Sequence, residues 1–341
     1  MKVLVVDIAA STGGALSILK DFYEEIKKDK NNEYIFLLSD NYLKETYNIK
    51  TIILKKEKKW IKRLLFDHIN GKKIVKRLNP DVILSFQNTI IRGVKQKQIL
   101  YVHQSIPFQK LKKFSLFKRN EFKLAIIQYF IGGQIKKSIK LADKVIVQSE
   151  WMKETIVKEC KIEKNKIEKI TPKIEDIKLK NIKLDNTTFF YPASNAIYKN
   201  HSIIKEAVEI LRNQGIKNFK VEFTLEGENT NQIKYLGTLS RNKVFDKYQS
   251  SILIFPSYIE TYGLPLAEAK KAQTIILAAD TEFSREILND YSNAYFFNPF
   301  DSNELANLIL KVLNKEIQKQ EQKTKTIEEK NSILKVIGEI I

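Results

Sequence analysis

Short apolar runs alternate with amphipathic stretches along almost the whole chain, and this alternation limits the folds that the chain can adopt. The runs are nearly continuous in apolar residues, as in "KVLVVDI" (2–8), "DVILSF" (81–86) and "SILIFPS" (251–257). Such runs predict strands that are buried on both faces, and the stretches between them have helical spacing. We therefore predict an α/β protein whose parallel sheets are covered by helices on both faces.

The predicted strands form two series, one on each side of about residue 172. The first series is 2–8, 33–39, 51–54, 81–86, 98–104 and 143–149, and the second is 187–193, 219–227, 233–237, 251–257, 274–280 and 294–299. Helices are predicted at 15–28, 201–215, 302–317 and 331–341. A lysine-rich segment of weak periodicity, 157–186, is predicted to contain the interdomain linker.

This organisation predicts two doubly wound α/β domains in series. We assign residues 1–172 to the first domain and 173–320 to the second. Residues 321–341 form a charged and helical tail that could pack back on the first domain. Ligands of such sheets bind at the carboxyl ends of the strands, and two domains that face each other would form a cleft there.

The net charge of the chain is strongly positive, because 59 basic residues stand against 40 acidic ones, a formal charge of +19. Such a surplus attracts nucleic acid, an anionic membrane surface or phosphorylated substrates. The alternative is compositional, with lysine simply filling surface positions. No zinc finger or RNA-binding aromatic motif is recognised, so we expect no nucleic-acid partner.

Cysteine content and hydropathy together predict a cytoplasmic protein. Cys160 is the only cysteine, which excludes an intramolecular disulfide and fits a reducing compartment. The stretch "MKVLVVDIAASTGG" (1–14) predicts a strand and a glycine loop rather than a signal peptide, since its apolar run is short and contains Asp7. No window holds about 18 uninterrupted apolar residues, so we expect no membrane-spanning helix.

Two glutamates eight positions apart lie in "FPSYIETYGLPLAEA" (255–269). We expect Glu260 in the loop after a strand and Glu268 about one turn into the following helix. Two carboxylates can accept the hydrogen bonds of the vicinal hydroxyls of a sugar or ribose ring. The alternative is that Glu268 only complements the helix dipole while Glu260 is solvated.

The start of that helix also predicts an anion site. Pro265 suits the first helical position, and Leu264 before it has no side-chain oxygen to cap the helix. Gly263 would let the backbone approach a ligand closely. We therefore expect the amides at this helix start to bind a phosphate group.

The same stretch resembles the C-terminal half of the retaining nucleotide-sugar glycosyltransferases of family 4, or group 1. The likeness continues in "TIILAADTEFSREIL" (274–288) and "NAYFFNPFDSNELANLI" (293–309). Upstream, the matching stretches are "TGGA" (12–15), "YVHQSIPF" (101–108), "ADKVIVQSEWMKETI" (142–156) and "YPASNAIYKNH" (191–201). The resemblance implies two Rossmann-like domains that face each other across a cleft, the GT-B type.

The resemblance also implies an enzyme that moves a sugar, of hexosyl type, from a nucleotide diphosphate sugar to a hydroxyl acceptor with retained configuration. It further suggests a role in bacterial surface polysaccharide or lipid-linked glycan synthesis. Two alternatives stay open. One is a sugar-nucleotide epimerase or phosphorylase of the same fold, and the other is a basic, non-enzymatic protein that binds nucleic acid or membrane.

The resemblance assigns a role to each donor-binding residue of the second domain. Lys199 would neutralise the donor diphosphate, Glu268 would bind the ribose hydroxyls, and Glu260 would hold hydroxyls of the transferred sugar. The amides of Tyr262, Gly263 and Leu264 would contact the distal phosphate. A surface position is the alternative for Lys199 in so lysine-rich a chain.

In the first domain, the resemblance implies that His103 faces the donor sugar. Gly13 and Gly14 would let the first loop approach the sugar or the acceptor. The alternatives are a purely structural histidine and an ordinary glycine turn.

One position departs from the family pattern, which has an arginine a few residues before the lysine. Here Ser194 and Asn195 stand in that stretch, and Arg241 is one candidate to supply the missing charge. No D-x-D metal signature stands out, so we expect a reaction without metal ion or other cofactor.

Residues 108–140 are basic and interleaved with aromatic residues. This pattern is typical of a surface that lies on an anionic bilayer, where a lipid-linked acceptor would be available. We therefore expect a cytoplasmic protein that can attach peripherally to the inner face of the membrane. The alternative is a pair of ordinary helices packed on the first domain.

Overall fold

The computed structural model describes residues 1–9, 13–58, 60–175, 179–180, 182–321 and 332–340. The chain divides into two compact units, and each contains one parallel sheet with helices. The first unit comprises Met1–Lys173 and Glu328–Ile341, and the second comprises Ile174–Ile327. Within the described ranges, no helix has both the length and the apolar character needed to cross a membrane.

The first unit contains a seven-stranded sheet in the order β3-β2-β1-β4-β5-β6-β7. Its strands are β1 (Lys2–Asp7), β2 (Glu33–Leu38), β3 (Ile49–Ile53), β4 (Val82–Ser85), β5 (Lys97–Tyr101), β6 (Lys144–Val147) and β7 (Ile167–Lys169). All neighbouring strands run parallel, with Val3 of β1 opposite both Tyr34 and Val82. The strand order reverses between β1 and β4, which is where ligands bind in sheets of this kind.

Helices and tight turns connect the strands of the first unit. They are α1 (Gly13–Ile26), α2 (Trp60–Leu65), α3 (Gly71–Leu78), α4 (Phe122–Ile126), α5 (Gly132–Leu141) and α6 (Glu150–Cys160). Two π-helical segments, Phe66–Asn70 and Ile127–Ile131, join α2 to α3 and α4 to α5. Short 3₁₀ segments lie at Lys55–Lys58 and Lys164–Lys166.

A last helix, α12 (Ile333–Glu339), belongs to the first unit although it follows the second in sequence. Its N-terminal residue Ser332 accepts a hydrogen bond from the amide of Lys335. Val336 and Ile337 are almost fully buried in the same apolar cluster as Phe22 of α1. This helix therefore supplies part of the core on one face of the first sheet.

The second unit repeats the same topology with six strands in the order β10-β9-β8-β11-β12-β13. The strands are β8 (Thr188–Tyr191), β9 (Lys220–Phe223), β10 (Ile233–Tyr235), β11 (Ile252–Phe255), β12 (Ile276–Ala279) and β13 (Ala294–Phe297), all parallel. The helices are α7 (His201–Asn213), α8 (Arg241–Ser250), α9 (Leu264–Lys271), α10 (Glu282–Ile287) and α11 (Ser302–Leu313), with a 3₁₀ turn at Ile197–Lys199.

The predicted α/β class with two doubly wound sheets is confirmed. All strands predicted from apolar runs are present, and β8, β11 and β12 are buried along their whole length. The order of the second sheet reverses between β8 and β11. The switch point of the second sheet therefore lies between the strands that precede Lys199 and Glu260.

The boundary between the two units, after Lys173, lies within the segment 157–186 that was predicted to contain the linker, but part of this segment is folded. Helix α6 continues to Cys160, and Ile167–Lys169 forms β7, which pairs with β6 at the edge of the first sheet. Both features belong to the first unit. The lysine-rich composition could not separate these folded residues from the linker, because the exposed residues of α6 and β7 are also rich in lysine.

Candidate functional site

Lys199 lies at the end of a short turn that follows β8. The hydroxyl of Tyr191, the last residue of β8, donates a hydrogen bond to the carbonyl of Lys199 at 2.8 Å. Asn200 follows in the left-handed conformation, with φ of +59°, and its side-chain amide donates to the carbonyl of Pro299 at 2.7 Å. These bonds fix the backbone around Lys199 at the carboxyl end of the strand.

Glu260 lies in the loop after β11 and forms an ion pair with Lys199 through its Oε1 atom. The hydroxyl of Ser257 donates to the same Oε1 atom at 2.8 Å. The amide of Tyr258 donates to the carbonyl of Tyr198 at 3.1 Å, so the two loops are also joined through their backbones. Both of these donors contact Oε1, so neither of them uses the second carboxylate oxygen.

The ion pair is largely shielded from water, since the side chains of Lys199 and Glu260 are only 17% and 16% exposed. A pair in such a setting is costly to break from one side, because the remaining charge stays partly buried without compensation. A lysine and a carboxylate at the ends of neighbouring parallel strands are also the groups that a phosphate and a sugar hydroxyl would contact.

The glycine before α9 has a conformation that other residues rarely adopt. Gly263 has φ of +96° and ψ of 57°, and it is the N-cap of the helix. The helix starts at Leu264, one residue earlier than predicted, and Pro265 lies in its first turn. A glycine cap offers no side-chain acceptor to the first helical amides, so the reason for expecting an anion here still applies, with Gly263 in place of Leu264.

Glu268 lies on α9 and is almost fully buried, with 1% of its side chain exposed. Its Oε1 atom forms an ion pair with the guanidinium of Arg241, the first residue of α8. Its Oε2 atom accepts a hydrogen bond from the hydroxyl of Tyr248 at 3.0 Å, also on α8. Both carboxylate oxygens are therefore oriented by side chains of one neighbouring helix.

Burial raises the pKa of Glu268, and Arg241 and Tyr248 act in the opposite direction. Burial of Tyr248, together with the nearby Glu268 carboxylate, raises the pKa of Tyr248 well above its usual value. The tyrosine hydroxyl therefore keeps its proton and can only donate to Glu268. Arg241 supplies the positive charge that favours the ionised carboxylate.

His103 is one of the predicted site residues of the first unit. It lies two residues after Tyr101, the last residue of β5. Its backbone amide donates to Oδ1 of Asn88 at 2.7 Å, and its ring lies 5.6 Å from the ring of Tyr101. The Nδ1 atom is buried and has no hydrogen-bond partner among the described residues. Burial lowers the pKa of His103 to about 4, so the ring is neutral at physiological pH.

The predicted glycine loop lies at the start of α1. Gly13 is the first residue of the helix and Gly14 the second, and Thr12 before them lies outside the described residues. A Cβ atom added to Gly14 would meet nothing within 4 Å. The space beside this turn of the helix is therefore open.

The structure thus brings Lys199 and Glu260 into contact and places Glu268 on the helix that follows the Glu260 loop. It adds two residues that were not predicted, Ser257 and Tyr248, and it pairs Arg241 with Glu268. Tyr248 follows Arg241 by seven residues, which is two helical turns, so the helical period alone would place both on one face. Only the packing of α8 on α9 shows which carboxylate that face contacts.

Within the described ranges there is no group of three or more His, Cys, Asp or Glu side chains that could hold a metal ion. A reaction without metal ion or cofactor stays a prediction.

Comparison with a family model relates the second unit to known enzymes. Residues 172–330 match the model of the glycosyl transferases group 1 family. This range contains Lys199, Arg241, Glu260 and Glu268. A search of curated proteins found no match.

Several solved structures have the same fold over nearly the whole chain. Sucrose-phosphate synthase from Thermosynechococcus elongatus matches with a TM-score of 0.67 and 15% identity, over 92% of this chain and 90% of that one. Alr3699/HepE from Anabaena in complex with UDP-glucose matches with a TM-score of 0.62 and 16% identity, over 93% and 90%. The lipopolysaccharide outer core galactosyltransferase WaaB matches with a TM-score of 0.61 and 15% identity, over 94% and 92%.

The chain covers nearly the whole length of these three proteins, but it covers much less of other matches. It spans only 51% of the TarM chain, which matches with a TM-score of 0.54 and 14% identity. At such identities the likeness establishes the fold, in which two parallel α/β sheets are built in series.

Proposed function

We propose that the chain transfers a sugar from a nucleotide diphosphate sugar to a hydroxyl acceptor, because residues 172–330 match the group 1 glycosyltransferase model and the chain has the GT-B fold. The observation that carries this proposal is the ion pair of Lys199 and Glu260 at the switch point of the second sheet. It lies within the range that matches the family.

The donor would bind along the carboxyl edge of the second sheet. Lys199 would exchange its contact with Glu260 for the diphosphate, and the Glu260 carboxylate would then accept hydrogen bonds from the transferred sugar. The amides of Tyr262, Gly263 and Leu264 would bind the distal phosphate at the start of α9. Glu268 would accept the hydrogen bonds of the ribose hydroxyls.

The reaction would proceed with retained configuration. The bond between the anomeric carbon and the diphosphate oxygen breaks as the acceptor oxygen bonds to the same carbon from the same face. Negative charge develops on the leaving diphosphate, where Lys199 and the helix amides stabilise it. A leaving phosphate oxygen takes the proton of the acceptor hydroxyl, so no protein base and no metal ion are required.

The first unit would contribute His103, Gly13 and Gly14. A neutral His103 can donate one hydrogen bond and accept another, as contact with a sugar hydroxyl requires. The open space beside Gly14 would admit a sugar ring of the donor or the acceptor. We propose a bacterial surface polysaccharide or a lipid-linked glycan as the product.

We further propose that residues 108–140 attach the protein to an anionic bilayer on the cytoplasmic side. The segment contains nine Lys or Arg residues and one acidic residue, Glu121. Phe117 is 97% exposed, and Phe130 and Phe122 are exposed to 63% and 46%. Exposed aromatic rings beside basic side chains suit the interface between anionic headgroups and acyl chains.

Vesicle sedimentation tests the membrane proposal. Vesicles with anionic lipid should sediment the wild type at low salt, and Phe117→Ser should release much of it. Phe300→Ser is the matched control, because Phe300 is an exposed ring of the second unit. If neither low nor high salt gives binding to anionic vesicles, this part of the proposal fails.

A thermal-shift panel of nucleotide sugars tests the donor proposal, beginning with UDP-glucose because HepE has been solved with it. A ligand that binds only the folded protein raises the melting temperature. We expect at least one nucleotide sugar to raise it in the wild type and not in Lys199→Gln. Product analysis with that donor then separates transfer, which needs an acceptor, from epimerisation. A panel without any shift would contradict the proposed function.

A further inference from the structure

The carboxylate of Glu268 is held from one side by a single helix. Arg241 and Tyr248 lie two turns apart on α8 and contact Oε1 and Oε2 of Glu268, respectively. Because the two donors approach from the same helix, the position of α8 fixes the orientation of the carboxylate plane. Side chains that approach a buried carboxylate in this way leave its remaining lone pairs pointing away from the helix.

Arg241 is itself held by several groups. Its guanidinium lies 4.7 Å from the centre of the Phe245 ring, one turn further along α8. Its Nε atom lies 3.7 Å from a carboxylate oxygen of Glu175. Although its side chain is 45% exposed, three separate contacts therefore limit where the guanidinium can move.

We propose that Arg241 is a positioning residue for the nucleoside of the donor, acting through Glu268. This inference rests on the proposed function, since it presupposes that Glu268 binds the ribose. Arg241 keeps the buried carboxylate ionised and oriented, so that both oxygens can accept hydrogen bonds from the two ribose hydroxyls.

Recognition of a ribose diol requires the Glu268 carboxylate to be both ionised and oriented. An ionised carboxylate has about four acceptor sites, of which Arg241 and Tyr248 use two and a vicinal diol would use the others. A protonated carboxyl group has one hydroxyl donor and fewer acceptor sites, so it no longer matches a diol. The guanidinium stays charged at every accessible pH and therefore favours the ionised form constantly.

The other charged and titratable groups around Glu268 support this role. Within the described residues, those that act on its pKa are Arg241, Tyr248 and Glu175. Burial is the largest effect and raises the pKa, while Glu175 raises it further. Removal of Arg241 would therefore take away the only positive charge among these three groups.

An alternative role for Arg241 is direct contact with the diphosphate, in place of the arginine absent before Lys199. The two roles differ in the part of the donor that they affect. Positioning through Glu268 depends on the ribose hydroxyls, whereas direct contact depends on the phosphates. Donor analogues that lack one or the other group therefore separate them.

The experiment compares Arg241→Gln with wild type in calorimetric binding of UDP-glucose, or of the nucleotide sugar that gives the largest thermal shift. We expect the Kd to rise about tenfold to a hundredfold, as for loss of a hydrogen bond between charged groups. The Kd of the corresponding 2′-deoxyribose donor should change much less. Arg241→Lys, which keeps the charge, should restore part of the affinity.

A pH series provides a readout that a purely structural role would not change. In Arg241→Gln the pKa of Glu268 should rise further, because burial then acts without the guanidinium. Affinity for the ribose donor should therefore decrease as the pH falls, beginning at a higher pH than in wild type. In a Glu268→Gln background, Arg241→Gln should have little additional effect on the Kd.

Lys247→Gln is the matched control. Lys247 lies on the same helix and forms a 2.5 Å ion pair with Glu222, another buried carboxylate. This substitution should leave the donor Kd and its pH dependence unchanged.

The possible results are distinct. If the wild type binds no nucleotide sugar, the proposed function fails. If it binds and Arg241→Gln, folded by circular dichroism, binds ribose and deoxyribose donors as wild type does, only the positioning role is overturned. Arg241→Gln could instead weaken the binding of both donors equally and leave the binding of the nucleoside alone unchanged. That result would assign Arg241 to the diphosphate.

Discussion

The two sheets share a strand order, but the side chains at their switch points differ in charge. Just after β4, Gln87 and Thr89 donate hydrogen bonds, both of 2.7 Å, to Asp67 of the π-helical segment Phe66–Asn70. At the ends of β8 and β11, Lys199 and Glu260 form an ion pair instead. In the first arrangement the hydrogen bonds to the carboxyl group come from neutral donors, and Arg63 and Arg92 act on it only through their charge. In the second, a lysine contacts the carboxylate directly and could move to an anionic ligand.

This difference assigns distinct tasks to the two edges. Burial raises the pKa of Asp67 to about 7, because its neutral partners and nearby arginines do not fully offset the loss of water. Such a network fixes the π-helical segment Phe66–Asn70 against the sheet. At the second edge, the ion pair of Lys199 and Glu260 places a positive and a negative group where a charged substrate is proposed to bind. We therefore expect substitution of Lys199 or Glu260 to affect turnover and substitution of Asp67 to affect stability.

Substitution of Glu260 should have the largest effect. Glu260→Ala removes the carboxylate proposed to hold the transferred sugar and leaves Lys199 without its partner. We expect transfer to be abolished, measured as nucleoside diphosphate release in the presence of acceptor. Glu209→Ala, an exposed glutamate of α7 paired with Arg212, is the control and should be fully active. Wild-type turnover in Glu260→Ala would rule out the assigned site.

The first edge should instead make stability depend on pH. A rise of the Asp67 pKa from 3.8 to about 7 corresponds to at most about 4 kcal/mol of unfolding free energy. Since the folded state binds the proton more tightly, this stabilisation is complete below pH 4 and is lost as the pH rises through 7. Urea unfolding from pH 5 to 8 should show the decrease.

Asp67→Asn is the comparison for that series, because an amide does not titrate. The unfolding free energy of wild type relative to the variant should decrease from pH 5 to about pH 7 and level off towards pH 8. A difference that stays constant from pH 5 to 8 would show that Asp67 keeps an ordinary pKa.

Tyr248→Phe sharpens the comparison within the second edge. It removes a hydrogen bond to a buried carboxylate and should lower the unfolding free energy by about 2 kcal/mol. Tyr291→Phe removes a buried bond to the neutral carbonyl of Thr274 and should cost about 1 kcal/mol. Equal losses in denaturant titrations would argue against an ionised Glu268.

Gly14→Ala should have the smallest effect on stability. Alanine in a helix is favoured by about 0.5 kcal/mol, and the added Cβ has open space. We expect a slightly higher melting temperature but slower transfer, because the methyl group would lie where a sugar ring is proposed to bind. Unchanged turnover would reduce Gly14 to an ordinary helical residue.

Much of the fold could be predicted because its strands are nearly continuous in apolar residues. Strand β7 escaped prediction, since Ile167–Lys169 has three residues and two of them are charged. It forms because its backbone pairs with β6, and the local sequence pattern does not predict such pairing. The π-helical segments were missed for a related reason, as their sequences have ordinary helical composition.

The candidate site was predictable as a set of residues but not as a set of contacts. The spacing of Glu260 and Glu268 is local, so it is visible in the sequence. Lys199 and Glu260 are 61 positions apart and meet only because β8 and β11 are neighbours in the sheet. The contact of Arg241 with Glu268 likewise depends on how α8 packs on α9.

The return of α12 to the first unit has a consequence for biosynthesis. Everything needed for the second unit lies in one uninterrupted stretch, Ile174–Ile327, whereas the first unit needs residues from both ends of the chain. Every residue of the second unit is therefore synthesised before Val336 and Ile337, which belong to the core of the first unit. A chain cut at residue 173 would therefore leave exposed apolar side chains, such as Phe22, that share a buried cluster with Val336 and Ile337 in the uncut chain.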